Sequence, residues 1–185
     1  MGSRRNGNSI DSRKEGEVIE NLQPPKNIKK LSIFSYGGKH FPNWFLENSL
    51  WNMVSLVLDE CESCQHLPPV GILPFLKVLK IIKLDGIVSI DATFHGNNSC
   101  SFKSLEKMIF SNMRQWEKWE CQAVIGAFPC LQSLSIKNCP NLKGQLPDQL
   151  VVPLKTLQIT NCEQLEGVYI LNYKDVERFC LIGQQ

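Results

Sequence analysis

The residues of this 185-residue chain best suited to chemistry are its eight cysteines and three histidines. Cys139, in "LQSLSIKNCPNLKGQLP", and Cys162, in "LKTLQITNCEQL", stand at the same offsets from their flanking leucines and isoleucines. Two thiols matched in this way could be a reactive or metal-binding pair, or two copies of one buried structural part. Cys61-x-x-Cys64 has the spacing of half a zinc site. Its possible completions are His66, Cys100, Cys121 and Cys130, with no second CxxC and no His-x-x-x-His. The motif also lacks a helix start that could lower a thiol pKa for redox work. Packing is the better expectation for these cysteines.

Other candidates dissolve in the same way. His40, His66 and His95 are too scattered for a catalytic arrangement, and no G-x-S-x-G elbow is present. "YGGKHFP", with Gly37, Gly38 and Lys39, misses the G-x-x-x-x-G-K-S/T spacing that cradles phosphate and reads as a turn. Trp116 and Trp119 could stack a ligand, but three residues apart they read as packing groups of an outer wall. No catalytic, cofactor or metal site is expected, and the chain reads as a non-enzyme.

What positions the cysteines is a recurring phrase: an apolar residue, a second three later and a third two beyond. It runs Ile28, Leu31, Ile33; Met53, Leu56, Leu58; Leu76, Leu79, Ile81; Leu105, Met108, Phe110; Leu131, Leu134, Ile136; and Leu154, Leu157, Ile159. Val176, Phe179 and Leu181 make a weaker seventh copy. A unit of about 20–29 residues built on L-x-x-L-x-L, with Asn or Cys following, is the leucine-rich-repeat signature. The last two apolar positions share one side of a short strand, so both point inward. No unit can bury that side alone, and stacking makes one continuous core. Cys61, Cys139 and Cys162 occupy the slot just after the strand, so their likeness reflects the repeat.

The expected fold is an α/β repeat, a curved leucine-rich-repeat solenoid. Short parallel strands line its concave face and an irregular or 3-10 wall its convex side. Residues 1–24, polar and poor in large apolar groups, read as a flexible segment. Residues 25–168 form the repeat domain of about six units, and 169–185 a degenerate seventh unit or divergent tail. Residues 86–104 lengthen the third unit, and "HGNNSCS" within them reads as a surface loop. The first and last units show no clear polar cap.

Strand residues alternating with the inward pair must face the concave side. They are Lys30, Ser32 and Phe34, then Ser55, Val57 and Asp59, then Val78, Lys80 and Ile82. Further copies supply Lys107, Ile109 and Ser111; Ser133, Ser135 and Lys137; and Thr156, Gln158 and Thr160. Phe34, Val57, Val78, Ile82 and Ile109 put apolar groups on that face in the first four copies, which suggests a protein-binding patch.

Charge is balanced, with 20 basic and 18 acidic residues, so nothing global calls for nucleic acid or membrane as partner. No apolar run spans a bilayer and "MGSRRNGNSIDSRKEGE" is no secretory signal, which makes the cytoplasm the expected location.

Three stretches carry a family resemblance: "NLQPPKNIKKLSIFSYGGKHFPNWF", "LVLDECESCQHLPPVGILPFLKVLKI" and "SFKSLEKMIFSNMRQWEKWE". They resemble the carboxy-terminal repeats of plant coiled-coil nucleotide-binding leucine-rich-repeat (CC-NBS-LRR) disease-resistance proteins. The likeness runs from about residue 16 to about residue 168. It implies a role in the defense response by recognition of a pathogen effector or guarded host protein. It also implies autoinhibition through the receptor's own nucleotide-binding domain. A full-length relative would bind ADP or ATP in that domain, which this chain lacks; the chain resembles a piece of the repeat region and needs no cofactor. A rival reading is a repeat adaptor or scaffold, such as the substrate-binding region of a ubiquitin ligase.

Overall fold

The computed structural model describes residues 9–46, 50–96, 101–120, 127–147, 150, 154–166 and 177–183. Its strands in chain order are β1 (Lys30–Phe34), β2 (Ser55–Asp59), β3 (Val78–Ile82), β4 (Ser89–Ile90), β5 (Lys107–Ser111), β6 (Lys118–Trp119), β7 (Ser133–Lys137), β8 (Thr156–Thr160) and β9 (Arg178–Ile182). Seven of them form one parallel sheet in the order β1-β2-β3-β5-β7-β8-β9. Every neighbouring pair is in the same register, so equivalent residues of successive units lie side by side. The chain is a parallel leucine-rich-repeat solenoid.

The register makes two apolar rows inside the sheet. Leu31, Leu56, Leu79, Met108, Leu134, Leu157 and Phe179 form the first, and Ile33, Leu58, Ile81, Phe110, Ile136, Ile159 and Leu181 the second. From β2 to β8 both rows are fully buried. At the ends they are not: Leu31 and Leu181 are half-buried and Phe179 is exposed. The opening residue of each phrase closes a tight turn, as where the Met53 amide donates to the Leu50 carbonyl and that of Leu105 to Phe102. β9 supplies the seventh strand; Val176, the first residue of that copy, lies outside the described residues.

Strands β1, β2, β3, β5, β7 and β8 of the large sheet each end in a left-handed step. Ser35, Glu60, Lys83, Asn112, Asn138 and Asn161 all have φ between 52° and 59°, and each donates its amide to the end of the next strand. That conformation is disfavoured for L-residues and best tolerated by Asn. The side chains at these steps join laterally. Asn138 Nδ2 donates to Asn112 Oδ1 at 2.8 Å, and Asn161 Nδ2 to Asn138 Oδ1 at 2.7 Å. In the amino-terminal half the ladder is charged: Ser35 Oγ donates to Glu60 Oε2 at 3.0 Å, and Lys83 pairs with Glu60 Oε1.

The outer side is irregular as expected, with 3-10 turns at Asn43–Phe45 and Val70–Ile72 and the short parallel pair β4–β6. The lengthened third unit departs from expectation. His95, read as part of a surface loop, is buried at the end of a one-turn helix, α2 (Ala92–His95), capped by the Asp91 carboxylate. Its ring lies edge-on to Phe94, Phe102 and Phe128, with centroids 5.3–5.7 Å away. The Trp119 Nε1–H donates to His95 Nε2 at 3.4 Å. Residues 97–100 of that segment lie outside the described residues.

Within the segment 1–24, which composition reads as flexible, Ser9–Asn21 form a helix, α1; residues 1–8 lie outside the described residues. Burial is a poor guide here because α1 is held largely by polar groups. The Gly37 amide donates to Glu15 Oε2 at 2.6 Å, the Asn43 amide to Glu20 Oε2 at 2.9 Å, and Trp44 Nε1 to the Ile19 carbonyl at 3.0 Å. The helix thus satisfies backbone amides of the first unit, as a capping element does.

Two outcomes follow. Asn138→Ala, which removes both lateral amide bonds and puts a Cβ-bearing apolar residue in a left-handed step, should destabilise the chain by about 1–3 kcal/mol in denaturant titration. Asn138→Gly loses the same bonds without the backbone strain, and should cost about 1 kcal/mol less. Burial among aromatic rings depresses His95 from its ordinary value to about 4. Its neutral form therefore contributes stability that is complete above the unfolded value of about 6.5 and lost as pH falls toward 4. Thermal melts across that window should show a decline that His95→Phe, filling the same aromatic site, flattens.

Candidate protein-binding face

The sheet side opposite the core is a lattice of three rows running across the strands. The first row is Lys30, Ser55, Val78, Lys107, Ser133, Thr156 and Arg178. The second is Ser32, Val57, Lys80, Ile109, Ser135, Gln158 and Cys180, and the third Phe34, Asp59, Ile82, Ser111, Lys137, Thr160 and Ile182. All eighteen positions read from the sequence fall on this lattice. Arg178, Cys180 and Ile182 were missed, although the spacing of Phe179 and Leu181 signalled their strand.

Exposure is uneven across the lattice. Phe34 is 64% exposed at the β1 edge, whereas Val57, Val78, Ile82 and Ile109 are half-buried. Ser135 is buried, and its hydroxyl donates to Gln158 Oε1 at 3.5 Å. Asp59 Oδ1 and Thr160 Oγ1 are buried atoms without a hydrogen-bond partner among the described residues.

Lys80 holds the centre of the apolar group. Val57 and Ile109 are its register partners on β2 and β5, and Val78 and Ile82 flank it on its own strand. The face also carries Lys30, Lys107, Lys137 and Arg178, against Asp59 as its single carboxylate among the described residues. None of these five cations joins an ion pair among the described residues. The three ion pairs there, Lys77–Glu106, Lys83–Glu60 and Lys143–Glu117, lie off the lattice.

Four of the cysteines, Cys61, Cys64, Cys139 and Cys162, are buried in the core, whereas Cys180 sits on the lattice. None of these four thiols is in a disulfide. They donate to backbone carbonyls, Cys64 to Gly38 at 3.2 Å and Cys162 to Ile136 at 3.7 Å. Burial pushes the thiols of Cys61 and Cys64 up. Cys139 is raised by its hydrogen bond with Cys162 and by burial. At Cys61, Cys64 and Cys139 a raised pKa disfavours the thiolate that redox chemistry and metal binding need, while the hydrogen bond with Cys139 lowers Cys162. No group of three or more potential metal ligands occurs among the described residues.

The remaining motifs are structural. Trp116 and Trp119 are buried, with ring centroids 4.7 and 5.2 Å from Phe110. The "YGGKH" turn is closed by the Tyr36 hydroxyl donating to the His40 carbonyl at 2.8 Å. Its neighbour His40 stacks on His66 at the surface, with centroids 6.2 Å apart. A cleft of about 720 Å³ between α1 and residues 36–43 has a mixed polar lining that includes Glu17, Glu20, Lys39 and His40.

Comparison with known proteins supports the repeat assignment. The family model for R13L1/DRL21 leucine-rich repeats matches residues 2–84. A protein of Arabidopsis thaliana named as disease resistance RPP13-like protein 1 is 36% identical over 89% of this chain and 16% of its own length. A second Arabidopsis thaliana protein named for disease resistance is 40% identical over 72% of this chain and 10% of its own. One from Solanum bulbocastanum, named as disease resistance protein RGA1, is 34% identical over 69% of this chain and 13% of its own. The chain thus spans between a tenth and a sixth of the length of these relatives. No solved structure matches it. The in-register stack, the repeated phrase and these similarities together assign the chain to the leucine-rich-repeat region of the plant CC-NBS-LRR disease resistance family.

Proposed function

We propose that the chain is a protein-recognition module acting in plant defense, which binds its partner through the concave sheet face. The partner is a pathogen effector or a guarded host protein. In a longer receptor the same face could contact the nucleotide-binding domain and hold it inactive. The observation that carries this reading is the apolar cluster of Val57, Val78, Ile82 and Ile109 on the open side of the sheet. Core positions are filled from the other side, so these side chains do nothing for the interior that a polar residue could not do at lower cost in exposed apolar area. Interfaces concentrate their energy in such partly sheltered apolar centres.

The fold favours binding over catalysis. No group of three or more potential metal ligands occurs among the described residues, and leucine-rich-repeat arrays bind along extended surfaces. No helix among the described residues is long and apolar enough to cross a membrane. The reading places the module in the cytoplasm, where its partners meet it.

Val57→Glu combined with Ile82→Glu tests the face. Both side chains project away from the core, so the melting temperature should stay within a few degrees of the parent. Capture of the partner, scored by co-purification from challenged plant tissue, should be lost. Retained capture together with a lowered melting temperature sinks the assignment.

A further inference from the structure

We propose that the concave face receives an acidic protein segment, seating one carboxylate on Lys80 within its aliphatic frame and others on Lys107 and Lys137. The inference rests on the concave-face reading above and adds the chemistry of the partner. Its first support is the segregation of charge. The whole chain balances 20 basic against 18 acidic residues, yet the lattice holds Lys30, Lys80, Lys107, Lys137 and Arg178 against Asp59 alone.

The second support is the setting of Lys80. It is half-buried, unpaired among the described residues, and bordered on four sides by Val57, Ile109, Val78 and Ile82. A carboxylate arriving there is sheltered by apolar neighbours, and loss of water strengthens the ion pair. The aliphatic frame also takes the apolar residues on either side of the acid, excluding solvent from the contact.

The third is spacing. Lys107 is one strand across from Lys80 and displaced toward the strand starts; Lys137 is two strands across and displaced toward the strand ends. With strands about 4.8 Å apart and about 3.3 Å per residue, these α-carbons lie roughly 8 and 12 Å from that of Lys80. Same-face side chains of an extended segment repeat about every 7 Å, within reach of long lysine stems. Seven strands span about 29 Å, which roughly nine extended residues cross. Single-stranded nucleic acid fits worse, because it needs aromatic platforms interleaved with the cations. The lattice offers only Phe34, on β1, remote from Lys137 and Arg178.

The test measures fluorescence anisotropy of labelled probes on the intact chain. The probes are a peptide of about ten alternating Glu and Leu residues, its Gln–Leu counterpart and an oligothymidine of similar span. The Glu–Leu peptide should bind most tightly and weaken as salt is raised. Lys80→Met, which keeps the apolar stem, should weaken it about tenfold or more. Lys107→Met with Lys137→Met, the first exposed and the second half-buried, should repeat the loss. Lys118→Met, on β6 off the lattice, should leave affinity unchanged. Equal binding of the Gln–Leu peptide, lost on Val57→Glu/Ile82→Glu, overturns the acidic partner but leaves concave recognition standing. Glu–Leu binding indifferent to every lattice substitution overturns both. Tighter binding of oligothymidine, or no binding of the Glu–Leu peptide, overturns the acidic protein segment.

Discussion

No unit of this chain can bury the two inward residues of its own strand; each depends on the units beside it. Leu56 is covered because Leu31 and Leu79 stand on either side, and Leu58 because Ile33 and Ile81 do. Parallel in-register pairing is the arrangement that lets one short phrase serve every unit, since a one-residue slip would turn the apolar pair to the open side. The shared register then arranges everything else: Cys61, Cys139 and Cys162 in one interior row, left-handed steps in another, and the outward residues as a lattice. On the last strand of the sheet the burial is less complete, and Phe179 is 43% exposed. At the other end α1 serves the first unit through carboxylates that accept from its amides.

The left-handed step that ends β1, β2, β3, β5, β7 and β8 shows how one geometric demand can be met by different chemistry. Asn112, Asn138 and Asn161 suit the backbone and bond to one another. Ser35, Glu60 and Lys83 suit the backbone less and are linked through a carboxylate instead. The exposed ion pair adds little stability in water. The amino-terminal rim is therefore the more salt-sensitive half and the carboxy-terminal rim the more self-sufficient one.

Much of this was legible in the sequence because the spacing of Leu, Met, Phe and Ile encodes strand direction and face at once. The same spacing gave the lattice positions from Lys30 to Thr160. What stayed hidden depends on contacts between distant residues. The α1 helix reads as unstructured because its anchors are Glu15 and Glu20, whose partners are backbone amides more than twenty positions away. His95 reads as a surface residue because nothing local announces the rings of Phe102, Phe128 and Trp119 around it. Lys80 reads as one lysine among many until the register sets Val57 and Ile109 beside it.

The strand alternation that splits each unit into an inner and an outer set has an evolutionary consequence. Inner residues are read by their neighbours in the stack, and a change there is felt by the whole array. Outer residues are read only by what docks. A lineage can therefore rewrite the outer set, one position at a time, while its folding instructions stay untouched. If the outer set recognises a partner as proposed, recognition and foldability become separately heritable traits of the same short strands.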